Sequence, residues 1–174
     1  MKKIAITLLL MISTLSAMAQ LYVPGEKLHY RLSYRAALFP NTEVAKVSIH
    51  TTETTLDGQP AYKVHGIGET AKAFNWIFPV RDIYTIWVDP ATLRTRRFDS
   101  DIKEGSYTRR STFIYDWHNN KVHTRWRKRE QAEQLRTMEI TEQCMDAISL
   151  YFNMRSVDDS LIRDGYAEDL GLVL

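Results

Sequence analysis

The chain has 174 residues, one cysteine, and 23 Lys and Arg against 21 Asp and Glu. That length supports one domain with a real hydrophobic core. The near-neutral balance gives no general drive towards nucleic acid or acidic membranes, and one cysteine excludes an internal disulfide.

The first residues, MKKIAITLLLMISTLSAMAQ, join Lys2 and Lys3 to an apolar run from Ile4 to Leu15, followed by Ala17-Met18-Ala19. A basic start, a short apolar stretch and an A-x-A site form a secretory leader. The apolar run is too short for a bilayer, which needs about 20 residues. Cleavage is expected between Ala19 and Gln20, with the periplasm as the expected compartment. Residues 20–174 are expected to form a single β-rich domain. Losing Lys2 and Lys3 leaves basic and acidic side chains equal in number. No cysteine stands at the junction to carry a lipid anchor, and no later apolar segment is long enough to hold the chain in a membrane.

KLHYRLSYR alternates strictly, with Leu28, Tyr30, Leu32 and Tyr34 on one side and His29, Arg31, Ser33 and Arg35 on the other. That is a half-buried strand. TEVAKVSIHTTETTL repeats the pattern with Ala45, Val47 and Ile49 inward. Asp57-Gly58 then signals a tight hairpin. The next strand carries Tyr62 and Val64, and Gly66 and Gly68 suggest a bend or bulge within it. AKAFNWIFPV does not alternate and reads as a helical turn or loop covering one end of the sheet.

VRDIYTIWV is apolar on both faces, with Tyr84, Ile86 and Val88 on one and Ile83 and Trp87 on the other, which places it centrally. Asp89-Pro90 starts a turn. SYTRRSTFIYDW puts Tyr107, Phe113, Tyr115 and Trp117 in one parity, and VHTRWRKRE returns after the turn HNNK. EQAEQLRTMEI is polar and fits strand or loop. In DAISLYFNMR, Asp146 can cap a helix whose Ile148, Tyr151, Phe152 and Arg155 follow helical spacing. About seven strands and one late helix predict an all-β fold: an antiparallel curved sheet, or a partly open barrel, with the C-terminal helix against it.

Four stretches together resemble the domain of unknown function 3108 family of exported Gram-negative envelope proteins. They are Gly25-Glu26 with Leu28 and Tyr30, Asp89 with Thr92 and Leu93, Glu104-Gly105 with Tyr107, and Asp146 with Ser149 and Arg155. The resemblance implies a secreted, β-rich domain and no assigned reaction. It also implies further strands after the helix, whereas this chain stops at RDGYAEDLGLVL. A domain incomplete at its C-terminus would leave an unpaired sheet edge.

Candidate sites are sparse. Trp87 with Arg94, Arg96 and Arg97 combines an aromatic with cations, a common recognition surface and equally a common solvated strand face. Trp126 sits within the basic run of Lys121, Arg125, Arg127, Lys128 and Arg129, which could meet an anionic glycan or a lipid headgroup; export argues against nucleic acid. The histidines at 29, 50, 65, 118 and 123 have no metal-ligand spacing. No metal and no cofactor are expected. Cys144 reads as a small buried hydrophobe. The leading expectation is a non-enzymatic envelope protein binding an apolar or glycan-like ligand, or a partner protein. The alternatives are an envelope-polymer hydrolase using Asp99, Asp101 and Glu104, and a structural accessory of an envelope assembly.

Overall fold

The computed structural model describes residues 21–36, 39–157 and 171–173. The expected leader and the Ala19–Gln20 junction lie outside them, as does most of the tail after the helix. Eight strands form one antiparallel sheet in sequence order: β1 (Lys27–Ala36), β2 (Phe39–Leu56), β3 (Gln59–Thr70), β4 (Arg81–Val88), β5 (Thr95–Glu104), β6 (Tyr107–Asp116), β7 (Lys121–Lys128) and β8 (Gln134–Glu139). The sheet does not close into a barrel; β1 and β8 are its edges. A helix, α1 (Ala147–Arg155), follows the short strand β9 (Cys144–Met145), which pairs in parallel with β10 (Gly171–Leu172).

Local sequence explains the joints. Asp57 and Gly58 have φ of 51° and 77°, the double left-handed conformation that a two-residue hairpin turn requires. Between β5 and β6, Gly105 takes φ 56°. A register shift at Trp87/Val88 places Arg96 as an extra residue on β5, and such bulges increase local twist.

The alternating rows bury one face. Ile49, Val64, Ile86, Val88, Phe98, Phe113, Tyr115 and Val122 form the core there, with Phe152 of α1 and Tyr22 packed on them. Asp146 caps α1 by accepting from the Ile148 and Ser149 amides, both at 2.9 Å. The row on β1 runs past α1, so Leu32 and Tyr34 are 48% and 58% exposed although their parity is inward.

Two stretches take one of the two forms that the sequence left open. The polar segment Gln134–Glu139 is the eighth strand; backbone pairing with β7 holds it, and its side chains are almost all exposed. An edge strand of this kind carries no hydrophobic period to read. AKAFNWIFPV does contain a helical turn, Lys72–Phe74. Phe74 is half-buried, whereas Trp76, Ile77 and Phe78 are largely exposed, with Phe78 lying against Gly105 of the β5–β6 turn.

Candidate functional site

The core face carries one cross-strand row of unequal side chains. Antiparallel register sets Ile49, Gly66, Tyr84, Ser100, Ser111 and Trp126 side by side. The next row has Val64, Ile86, Phe98 and Phe113. The small members leave a trough between aromatic walls. A pocket of about 190 Å³ results, lined by Tyr84, Phe98, Ile102 and Phe113, floored by Ser100 and Ser111, and edged by Ala147 and Ile148 of α1. Phe98 meets Phe113 edge-on at 5.4 Å and Tyr84 at 6.0 Å. At Gly66 an added Cβ would already touch Ile148 Cδ1 at 4.0 Å, so a longer side chain there would displace the start of α1.

Arg109 completes this pocket. It shares the inward parity of Phe113 and Tyr115, and its Nε is buried without a hydrogen-bond acceptor. A buried donor left unpaired costs about 1–3 kcal/mol, more when charged. Burial raises the Tyr84 hydroxyl pKa above its usual 10.0, helped by Asp82 and Glu104.

A second depression of about 220 Å³ lies at the other end of the strands, between the β4–β5 turn, Trp117 and the start of α1. Here Arg94 lies over the Trp117 ring at 5.1 Å and pairs with Glu142 at 3.5 Å. Tyr115 reaches it with a buried hydroxyl that has no partner, and burial raises its pKa well above the usual range. Asp146, fully buried, accepts from Thr95 Oγ1 at 2.5 Å and Ser149 Oγ at 2.7 Å, and Tyr22 donates to Ser149 Oγ at 3.2 Å.

The five recognition residues read from the sequence fall in separate places. Trp87 and Arg97 do meet, on the open face: Arg97 lies over the indole at 5.1 Å, Lys63 approaches from the other strand at 5.7 Å, and Arg97 is held bidentately by Asp99 at 3.0 and 2.8 Å. Arg96 turns to the β2–β3 hairpin and donates to the Leu56 and Pro60 carbonyls. Arg94 belongs to the second depression. Trp126 is on the core face, beside Ser111, in the row that builds the first pocket. Of the carboxylates, Asp99 is engaged by Arg97 and Asp101 by Arg110 at 3.2 Å, while Glu104 ends β5 opposite Tyr107. Among the described residues, no three His, Cys, Asp or Glu side chains gather as metal ligands. Cys144 is half-buried and accepts the Thr141 amide at 3.3 Å.

Sequence reasoning passed over Arg109, Ser100 and Ser111. The alternation through Tyr107, Phe113 and Tyr115 already placed Arg109 on the apolar side of its strand, and an arginine there is a usable signal.

A family model described as protein of unknown function (DUF3108) matches residues 29–170. The chain belongs to this family. Comparison with curated proteins and with solved structures gives no match. The DUF3108 resemblance motifs acquire structural roles here. Glu26 takes both terminal nitrogens of Arg155, at 3.1 and 2.6 Å, while Tyr30 and Tyr151 bond through their hydroxyls. Burial and that bond push the Tyr151 hydroxyl up to about 12. Asp89 closes its turn through the Ala91 and Thr92 amides at 2.8 and 3.1 Å. Gly105 supplies a turn, and Asp146 caps the helix. Among the described residues no helix is long and apolar enough to cross a membrane.

Proposed function

We propose that this DUF3108 protein is an exported, periplasmic, non-enzymatic binding protein whose core-face pocket takes part of an amphiphilic anion. One observation carries this reading: Arg109 presents a buried, unpaired Nε at a pocket otherwise walled by Tyr84, Phe98, Ile102, Phe113 and Ile148. Such a donor is satisfied by an oxygen anion whose attached chain prefers the apolar wall. At about 190 Å³ the pocket is smaller than the roughly 300 Å³ of common ligand sites. It therefore takes the acid group and the first part of an alkyl chain, the rest lying along the core face towards Trp126.

Isothermal calorimetry with dodecanoate and with dodecanol tests this. Dodecanoate should bind, and dodecanol should bind about tenfold or more weakly, a difference of about 1.4 kcal/mol. Arg109→Gln should remove that preference, and Ser111→Leu should reduce binding of both by filling the trough. Equal binding of acid and alcohol, or an Arg109→Gln protein that still prefers the acid, overturns the reading.

A further inference from the structure

The loop between β3 and β4 presents Trp76, Ile77 and Phe78 in succession, and they are 82%, 58% and 54% exposed. Contiguous exposed apolar surface of this kind marks an interaction site. A braced backbone holds these side chains out. Ile77 N–H donates to Phe74 O at 2.9 Å, Thr70 Oγ1 donates to Phe78 O and accepts from Val80 N–H, both at 3.0 Å, and Gly105 N–H donates to Pro79 O at 2.8 Å. Phe78 lies against Gly105, where a Cβ would come within 3.2 Å of its ring.

The one polar side-chain atom of Trp76, Ile77 and Phe78 is already satisfied: the Trp76 indole N–H donates to Ala73 O at 2.9 Å. The side chain can therefore leave water without orphaning a donor, the condition for entering a lipid interface. Charge is arranged to match. At the base, Arg81 and Lys103 are offset by Asp82 and Glu104, and Glu69 is paired with Lys46 at 2.9 Å. Lys72 is left over. Alongside, the same end of the sheet carries Arg110, Arg127, Lys128 and Arg129 against Asp101, Glu130 and Glu133. The balanced chain thus has a positive rim beside its apolar tip.

We infer that this tip is a docking element for an anionic phospholipid bilayer, with Trp76, Ile77 and Phe78 below the headgroups and the basic rim against the phosphates. The inference uses residues other than the pocket walls and stands whether or not the pocket takes an amphiphile.

The test is co-sedimentation of the exported chain, its N-terminus checked by mass, with phosphatidylcholine vesicles and with mixed phosphatidylcholine–phosphatidylglycerol vesicles. The mixed vesicles should bind it more tightly, and salt should weaken that advantage. A blue shift of tryptophan emission should accompany binding and be lost in Trp76→Phe. Trp76→Ser/Ile77→Ser, which alters only exposed side chains, should lower partitioning about tenfold or more while leaving the unfolding midpoint and any dodecanoate binding in place. No vesicle binding, or binding unchanged in that double variant, overturns the inference. So does stoichiometric capture of an envelope protein through the tip without any vesicle binding.

Discussion

The sharpest structural prediction concerns Asp146. Its carboxylate is fully buried and is satisfied by two helix amides on Oδ1 and two hydroxyls on Oδ2. Asp146→Ala removes the cap, worth about 1 kcal/mol. It also takes a charged acceptor from Thr95 and Ser149, at about 1.5–3 kcal/mol for each such bond. The two hydroxyls, 2.7 Å apart, can still bond each other, and relief of carboxylate desolvation offsets part of the loss. A net cost of roughly 3 kcal/mol remains, which for a chain of this size lowers the thermal midpoint by about 6–12 °C. Asp146→Asn keeps an oxygen facing the amides, and the hydroxyls can turn to accept from its NH₂. It should lose roughly half as much or less. Thermal and urea unfolding of both variants would measure this. An alanine variant within about 2 °C of the parent, or an asparagine variant as damaged as alanine, refutes the account of Asp146 as cap and hydroxyl acceptor.

Two further outcomes are expected. Gly171→Ala places a Cβ 2.6 Å from Cys144 Sγ and 3.4 Å from its Cα, so it should destabilise by about 1–3 kcal/mol; denaturant unfolding of Gly171→Ala/Cys144→Ala should show much of that loss recovered. His65 should have a pKa below its usual 6.5, because burial disfavours the imidazolium and Lys63, Arg81 and His50 add to that. Its neutral form accordingly contributes stability that is complete above about pH 6.5 and is lost as pH falls through the lower folded value. NMR titration of the His65 ring should give a midpoint below 6.5, and the acid-side slope of stability should flatten in His65→Gln.

Legibility in the sequence follows the physical range of each signal. Period-two alternation located β1 and β2, and Asp57-Gly58 gave the turn, because both depend on neighbours in sequence. Asp146 was readable as a cap for the same reason. The strand β8 read only as strand or loop, since it is held by backbone bonds at an edge and its side chains have no buried face to display. The pocket was invisible because its trough is a property of register: Gly66, Ser100 and Ser111 adjoin only once β3 to β6 are paired. Parity alone already separated Trp87 from Tyr84 and Ile86. It could not show that Arg97 and Lys63 would occupy the indole's neighbourhood, or that Trp126 would end beside Ser111.

The residues that carry the family resemblance explain how α1 is fastened to the sheet more fully than they explain any chemistry. Glu26 and Arg155 join β1's start to the helix end, Tyr30 meets Tyr151, and Asp146 ties the helix start to Thr95 on β5. Family membership thus accounts for a scaffold. Among the features left without a structural task are the unpaired Nε of Arg109 and the exposed tip of Trp76, Ile77 and Phe78. Both lie towards one end of the sheet, where the tip packs on the β5–β6 turn and Arg109 stands two residues after Tyr107, the first residue of β6. A chain seated on a bilayer through that tip would hold the Arg109 edge of its pocket towards the headgroups. An amphiphile could then pass between membrane and core face with its acid group near a cation throughout, so the two proposals, tested on different residues, require the same orientation of the protein.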